Sequence, residues 1–232
     1  PPNIIIASRA GLTFNDFLVH LAPLVVLLMV AFLGLCRLLF RKAFTYDPER
    51  AAEIMQLDEK AAIRDHVLLK QSLGVLAVVM AAFVLHPVLH YEPSVVALLG
   101  AGLLMLITKV KVEDVVRDVE WPTLVFFIGL FVMVGALVNT GVIGTVSEAA
   151  ASAGAGRPFL TSMVLLWGSA GLSAIVDNIP YVAAMSPIVE HLVQQMPEGG
   201  TNGHVLWWAL ALGADLGGNA TAIGASANVV IL

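Results

Sequence analysis

The 232-residue sequence has little charge. Asp, Glu, Lys and Arg together make up 12% of it, whereas an ordinary soluble domain is about 25% charged. Hydrophobic residues make up 59%, and the mean hydropathy is +0.89. So few charged side chains cannot cover a globule of this size, which excludes a water-soluble protein and leaves most of the apolar surface facing lipid. The composition therefore predicts a polytopic membrane protein of all-α architecture, with the lipid bilayer as a partner.

Cysteine is nearly absent as well. The single residue, Cys36, excludes a disulfide framework, a Cys-rich zinc site and a three-thiolate site for a soft metalloid. Twelve scattered Lys and Arg residues exclude a nucleic-acid partner. His86, His90 and Glu92 lie close together, but Pro87 separates the two His residues, so we expect no metal site there. No nucleophile is paired with a base, so we expect neither an enzyme nor a bound cofactor, with Na⁺ or H⁺ as a possible coupling ion.

The two ends of the sequence are informative as well. Residue 1 is Pro rather than Met, no signal peptide precedes the first apolar run, and residues 229–232 lie inside another apolar run. We expect a piece of a longer chain.

Long apolar runs predict the membrane spans, which occupy residues 17–40, 71–89, 93–108 and 121–146. Thr13 and Asp16 resemble a capping box at the start of the first span. We assign residues 1–40 to the end of a first repeat, with half of a broken helix and one span, and residues 71–232 to a truncated second repeat.

Basic residues concentrate around two loops. Seven of the twelve lie in residues 37–70 and three more in residues 109–117. Because Lys and Arg are enriched in cytoplasmic loops, loops 41–70 and 109–120 are predicted to be cytoplasmic, in a plasma membrane. Apolar residues at helical spacing in the longer loop predict an amphipathic helix, which lies on the headgroups or on its own protein, with partner docking as the alternative.

One apolar stretch contains a polar centre. The segment SAIVDNIPYVAAMSP places Asp177, Asn178 and Pro180 where a single helix would cross the bilayer. A central Asp costs about 2.5–3.5 kcal/mol, and Pro180 would interrupt the hydrogen bonds of the helix. We therefore predict two half-helices that meet at this point, in a re-entrant hairpin over residues 159–196.

The last apolar stretch, residues 204–232, predicts a broken helix. Its segment DLGGNATAIGASAN begins at Asp215 and brings many polar and glycine residues to membrane depth. The amide and hydroxyl side chains are candidate ion ligands, namely Asn219, Thr221, Ser226 and Asn228. The glycines Gly217, Gly218 and Gly224 allow the backbone to unwind, with tight helix packing as the alternative.

A weak internal repeat links the two ends of the chain. The segments PPNIII and SANVVI align at an offset that superimposes Asn3 on Asn228. Two repeats that each contain a hairpin and a broken helix predict an inverted-repeat secondary transporter, in which Asn3 belongs to the first broken helix.

Four motifs carry a resemblance to a known family: PPNIIIAS, VEWPTLVFFIGLFVMVGAL, SAIVDNIPYVAAMSPIV and GADLGGNATAIGASANVVI. They resemble the group of arsenite-efflux proteins, NhaD-type sodium/proton antiporters and melanosomal P proteins in the ion transporter superfamily. The resemblance implies a homodimer of inverted repeats, with a fixed scaffold domain and a mobile transport domain. By position it implies that Asp177, Asn178 and Pro180 form a hairpin tip and that the segment from Asn219 to Asn228 forms a broken helix.

The function predicted from these features is ion/proton exchange, of the arsenite-efflux or sodium/proton type, by alternating access. Asp177 in residues 159–189 and Asp215 in residues 204–232 are the only charged residues of these apolar stretches, so we expect one of them to exchange the proton, with a purely capping role as the alternative for Asp177. A dicarboxylate or citrate symporter remains an alternative, although Arg157 is the only Lys or Arg after Arg117. Two further alternatives are an ion channel and a membrane scaffold without transport activity.

Overall fold

A computed structural model describes residues 2–41, 48, 55, 65–89, 91–108, 110–154, 157–195, 202–225 and 228. These residues form helices, turns and short connections, and no strand occurs among them. The predicted all-α fold is confirmed. The predicted amphipathic helix in loop 41–70 lies almost entirely outside the described residues.

The chain divides into two compact units. One comprises residues 13–119, and the other comprises residues 1–12 together with 120–232. The helices of the first unit are α2 (Phe14–His20), α3 (Ala22–Leu39), α4 (His66–Val84), α5 (His86–Leu89), α6 (Pro93–Thr108) and α7 (Val112–Asp118). Those of the second are α1 (Pro2–Ala10), α8 (Trp121–Asn139), α9 (Val142–Gly154), α10 (Pro158–Ser173), α11 (Asn178–Gln194) and α12 (Asn202–Gly218).

The capping box predicted at Thr13 is present. The backbone N–H of Asp16 donates to Thr13 Oγ1 at 3.3 Å, and the backbone N–H of Thr13 donates to Asp16 Oδ2 at 2.7 Å. The helix that it starts is shorter than the predicted span, because α2 ends at His20 and α3 begins at Ala22. Pro23 has no N–H to continue the helix from α2, which explains a new helix start at this position.

Helices α4 and α6 pack closely in the unit of residues 13–119. A Cβ atom at Gly100 would lie 2.4 Å from Cγ2 of Val79, so a larger residue there would force the Val79 side chain or the helices to shift. Helix α2 also contacts α4, and Asn15 Nδ2 donates to the carbonyl oxygen of Val84 at 2.9 Å. Asp65 caps α4 by accepting from the backbone N–H groups of Val67 and Leu68, which places the helix start before the predicted residue 71.

The segment predicted as one span over residues 121–146 consists of two helices. Helix α8 ends at Asn139, and α9 begins at Val142. Gly141 between them has a φ of +79°, a left-handed conformation that glycine adopts without the cost other residues bear. A left-handed residue just after the helix end stops the helix, which explains the difference from the predicted span.

Helix α11 lies at the centre of the second unit and contacts α1, α8, α9 and α12. Its side chains Val182 and Val189 are fully buried, as are Leu206 and Leu210 of α12. By contrast, most large apolar side chains of α8 are exposed, as expected for a helix that faces lipid.

Three described helices are long and apolar enough to cross a membrane: Ala22–Leu39, His66–Val84 and Trp121–Asn139. Pro93–Thr108 and Pro158–Ser173 are shorter apolar helices. This set of helices is consistent with the polytopic membrane architecture that the composition predicts.

Candidate functional site

Three helix ends meet in the second unit. Helix α10 ends at Ser173, α11 begins at Asn178, and α12 ends at Gly218. Two hydrogen bonds join the connections between them: the backbone N–H of Asn178 donates to the carbonyl oxygen of Gly224 at 3.1 Å, and Thr221 Oγ1 donates to the carbonyl oxygen of Ala174. The two polar segments that the sequence places far apart therefore contact each other directly.

Backbone carbonyl oxygens converge beside Gly224. A Cβ atom at this glycine would lie 2.9 Å from the carbonyl oxygens of Gly217 and Gly218 and 3.1 Å from that of Ser173. We call this group of three oxygens the carbonyl cradle. It combines the C-terminal ends of α10 and α12, where the partial negative charge of a helix is concentrated. A side chain at 224 would clash with these oxygens, so the close approach of the three segments needs glycine.

The first turn of α11 faces the same region with the opposite polarity. Asp177 caps the helix, and its Oδ1 accepts from the backbone N–H of Ile179 at 3.0 Å. Pro180 lies in the first turn, where the missing N–H removes no helical hydrogen bond. The Asn178 side chain is also close, because a Cβ atom at Gly218 would lie 2.8 Å from its Nδ2. A helix N-terminus and two C-termini thus meet within one small region.

The connection after α12 is closed by its own side chains. Asn228 Nδ2 donates to the carbonyl oxygens of Gly218 at 2.6 Å and Thr221 at 2.9 Å. Asn219 Nδ2 donates to the carbonyl oxygen of Asp215 at 2.9 Å, one helical turn earlier. Both amides bind the carbonyls that the end of the helix leaves unpaired. Ser226, a predicted ligand in the same segment, lies outside the described residues.

Asp215 and Asn3 form a side-chain pair across the unit. Asn3 Nδ2 donates to Asp215 Oδ2 at 2.8 Å, although the two residues are 212 positions apart. The pair joins α1 to α12 one helical turn before the carbonyl cradle. Asn3, near the start of the chain, is therefore hydrogen-bonded to Asp215, the first residue of the segment DLGGNATAIGASAN in which the sequence predicts a broken helix.

A tight contact between α10 and α12 holds the three helix ends in place. A Cβ atom at Gly213 would lie 2.4 Å from the carbonyl oxygen of Leu166, and one at Gly217 would lie 2.4 Å from that of Ala170. Ser173 Oγ donates to the carbonyl oxygen of Ala214 at 2.9 Å across this contact. Gly217 thus contributes to tight helix packing, the alternative to backbone unwinding in the sequence analysis. The helix that contains it continues to Gly218.

Sequence reasoning missed two residues that support the site, Ser169 and Tyr181. The Tyr181 hydroxyl donates to Ser169 Oγ at 2.9 Å, and both side chains are buried. The bond links α11 to the α10–α12 contact. The spacing of Ser169 and Ser173, four residues apart like Gly213 and Gly217, is the pattern that predicts such a contact.

Basic side chains are scarce in this unit. Arg9 and Arg157 are the only Lys or Arg residues in its sequence. Arg9 pairs with Glu190 at 3.4 Å, and Arg157 is exposed at the start of α10. Among the described residues no group of three or more His, Cys, Asp or Glu side chains is placed to hold a metal ion.

Comparison with known proteins identifies the family. The model of the CitMHS family, described as citrate transporter, matches residues 1–213. The chain belongs to the CitMHS family. It is 54% identical over all 232 residues to a 46 kDa membrane protein of Mycobacterium leprae and equally similar to an uncharacterized transporter of Mycobacterium tuberculosis. The chain spans 54% of the length of each of these relatives.

A more distant relative is the P protein of Homo sapiens, which is 38% identical over 220 residues, or 88% of this CitMHS chain and 26% of that protein. No solved structure matches the chain. The relatives confirm the predicted similarity to P protein and the assignment to a transporter family of the ion transporter superfamily. The narrower arsenite-efflux and NhaD-type assignments stay predictions. Transporter is also the description of the family and of the mycobacterial relative, in line with the expectation of a non-enzymatic protein.

Proposed function

We propose that this CitMHS chain forms the ion-binding part of a secondary active transporter that exchanges an ion for protons by alternating access. The carbonyl cradle carries the proposal. Its three main-chain oxygens lie at the C-terminal ends of two helices, which is the arrangement that binds Na⁺ or another hard cation in transporters built from broken helices. The Asn178 and Asn228 side-chain amides and the Thr221 hydroxyl also lie close to it.

Two carboxylates make proton coupling chemically feasible. Asp177 caps α11 beside the cradle, and Asp215 lies one helical turn before it. A carboxylate among apolar helices can alternate between a charged form, which accompanies the bound cation, and a protonated form, which returns without it. We infer that the pair Asn3–Asp215 and the Asp177 cap are the two places where protonation alters the local hydrogen bonds.

Three transported ions are considered: Na⁺, arsenite and citrate. The oxygen-rich site suits sodium/proton exchange, and its hydroxyl and amide groups suit neutral arsenite as a cargo. The description of the family favours citrate as a second candidate, and the N-terminus of α11 could hold one of its carboxylates. Citrate has several negative charges, however, and the two basic residues of the unit lie on exposed surfaces away from the cradle. We therefore rank ion/proton exchange first.

For the protein as a whole we propose a homodimer of inverted repeats in a plasma membrane, with loops 41–70 and 109–120 in the cytoplasm. Residues 158–194 would form a re-entrant hairpin in this arrangement, because the chain reverses direction at the polar connection 174–177 and the apolar surface of α10 suits lipid depth.

The deciding experiment is flux through the intact protein in proteoliposomes with an imposed pH gradient. Na⁺, arsenite, citrate and Cl⁻ are offered separately. We expect saturable uptake of one ion that drives proton movement in the opposite direction and shows counter-transport. Flux that fails to saturate and shows no counter-transport would instead indicate a channel.

Variants then locate the coupling. We expect Asp177→Asn or Asp215→Asn to abolish pH-driven exchange, because each removes a titratable group beside the cradle. Asp118→Asn, at an exposed position at the end of α7, is the matched control and should leave exchange unchanged. Proton-driven exchange that survives in both site variants would refute a coupling role for these carboxylates.

A further inference from the structure

An apolar groove runs between α10 and α11, separate from the residues of the carbonyl cradle. It holds a cavity of about 300 Å³, to whose lining Ala150 of α9 also contributes. The α10 residues that line it are spaced four apart and therefore lie on one face of the helix: Leu160, Val164, Gly168 and Leu172. None of the described residues that line the cavity is charged. The groove is thus an apolar feature that the proposed ion site does not account for.

The groove is open on the α10 side and closed on the α11 side. Leu160, Val164 and Leu172 are exposed, whereas Tyr181 on the α11 side is buried. A Cβ atom at Gly168 would have no atom within 4 Å, so this glycine leaves the middle of the groove open. Exposed apolar side chains of a membrane protein face hydrocarbon. The cavity is therefore accessible from the surface that faces lipid.

The polar side chains in the wall of the groove already make hydrogen bonds within the protein. The Tyr181 hydroxyl donates to Ser169 Oγ at 2.9 Å, and Thr161 Oγ1 donates to the carbonyl oxygen of Arg157 at 3.2 Å. A polar occupant would lose its hydrogen bonds with water on entering such a groove, whereas a hydrocarbon loses none. The wall therefore suits a hydrocarbon.

The length of the groove matches one leaflet of a bilayer. From Leu160 to Leu172 the helix advances by about 18 Å, and one leaflet supplies about half of a hydrocarbon core that is about 30 Å thick. A helix of this length, 10–12 Å in diameter, fills roughly 1,400–2,000 Å³. The cavity of about 300 Å³ is far too small for that but is long enough for a single acyl chain.

A positive charge lies at one end of the groove. Arg157 is exposed directly before α10, one helical turn from Leu160, and it is the only Lys or Arg after Arg117. Within the described part of the chain, no carboxylate pairs with its guanidinium, whereas Arg9 pairs with Glu190. A guanidinium binds phosphate oxygens through two parallel N–H groups, and basic residues near the membrane surface attract anionic headgroups. The end of the groove therefore complements a negatively charged headgroup.

We propose that the groove binds an anionic phospholipid, with one acyl chain between α10 and α11 and the headgroup phosphate on Arg157. This partner goes beyond the proposed transport function and does not depend on which ion is carried. The acyl chain follows α10 from Leu160 to Leu172 and fills the space that Gly168 leaves open. The alternative occupants are a neighbouring helix of the intact protein and a second copy of the chain, and lipid labelling distinguishes them from an acyl chain.

The first experiment is native mass spectrometry of the intact protein in detergent. Phosphatidylglycerol and phosphatidylcholine with identical acyl chains are titrated separately. We expect preferential binding of phosphatidylglycerol, and a roughly fivefold weaker affinity for it in Arg157→Gln, with little change for phosphatidylcholine. Arg157→Lys keeps the charge and should retain most of the affinity. Arg117→Gln, at an exposed position in the last turn of α7, is the matched control.

The second experiment locates the acyl chain. Phosphatidylglycerol with a photoreactive diazirine in one acyl chain is added to liposomes that contain the intact protein, and the labelled peptides are mapped. We expect adducts in residues 160–172 and 181–192, and their loss in Gly168→Leu, whose side chain fills the groove. Gly129→Leu adds the same side chain at an exposed position of α8 with no atom within 4 Å of its Cβ, and should keep the adducts.

Three results would overturn the inference. Equal affinity of wild type and Arg157→Gln for phosphatidylglycerol would exclude the headgroup contact, and an equal loss in Arg117→Gln would show unspecific attraction. Wild-type protein without adducts on α10 and α11 would show that protein covers the groove. Adducts that persist in a folded Gly168→Leu would come from lipid around the helices. If Gly168→Leu does not fold, Arg157→Gln and the wild-type adducts decide the question. Neither experiment measures ion flux, so failure of the proposed exchange function would leave this inference standing.

Discussion

At the scale of single residues, the amide side chains of Asn219 and Asn228 donate hydrogen bonds to backbone carbonyl oxygens. Asn228 bonds two carbonyl oxygens at the end of α12, and Asn219 bonds a third. These bonds determine where the connection 219–225 runs, and through it the position of Gly224 in the cradle. The residues predicted as ligands therefore shape the backbone around the carbonyl cradle.

Asn228→Asp tests this role. The carboxylate has the shape of the amide but no N–H group, so it loses both donated hydrogen bonds and places a negative charge against two carbonyl oxygens. We expect the hydrogen-bonded conformation of the connection after α12 to be destabilised by about 1–2 kcal/mol, and the flux to fall roughly tenfold as a result. Flux and size-exclusion profiles are compared with those of Asn139→Ala, an exposed amide at the end of α8. Wild-type flux in Asn228→Asp would show that its hydrogen bonds do not shape the site.

At the scale of helices, α10 and α12 form the closest contact of the second unit. Gly213 and Gly217 of α12 face main-chain oxygens of α10, with Ser169 and Ser173 beside them. Such small residues at a spacing of four let two backbones approach closely inside a membrane, where the hydrophobic effect gives no help. The ends of α10 and α12 reach the cradle together because of this contact.

Gly217→Ala is the test at this scale. Its Cβ atom would lie 2.4 Å from the carbonyl oxygen of Ala170, and since that atom belongs to the backbone, the helices must separate. We expect a destabilisation of about 1–3 kcal/mol, partly offset by the better helix propensity of Ala, and a lower unfolding temperature in detergent. Gly171→Ala is the control: no atom lies within 4 Å of the added Cβ, so its unfolding temperature should equal or slightly exceed that of the wild type. Equal unfolding temperatures for both variants would contradict the tight contact.

Much of this architecture could be predicted from hydropathy and local signals. The capping box at Thr13, the break before Asn178 and the start of α8 at Trp121 follow from residue types that act over three or four positions. The end of α8 was not predictable from apolar length alone, because the apolar run continues past Gly141 and only its positive φ stops the helix. The pair Asn3–Asp215 lies beyond any local pattern, since it depends on how helices far apart in sequence pack together.

At the scale of the whole molecule, the distribution of basic residues is the main determinant of orientation. Ten of the twelve Lys and Arg residues lie in residues 37–70 and 109–117, and the other two are Arg9 and Arg157. In chain order, Lys111 precedes α7 and Arg157 precedes α10. The proposed orientation follows from the rule that positive loops remain in the cytoplasm.

Thiol labelling of intact cells tests the orientation. In a Cys36→Ala background, we expect Arg157→Cys to react with a membrane-impermeant maleimide from outside, and Lys111→Cys to react only after the membrane is permeabilised. Both positions are exposed, so the difference reports the side of the membrane. Cys36→Ala alone gives the background signal. Labelling of Lys111→Cys in intact cells, with Arg157→Cys protected, would reverse the proposed topology.

The carbonyl cradle has a genetic consequence. Its oxygen atoms belong to the main chain, so no codon change can delete one of them, and the substitutions that damage it act by adding atoms or by displacing the backbone. The codons of the cradle at which a substitution adds a clashing atom are those of its glycines, Gly217, Gly218 and Gly224.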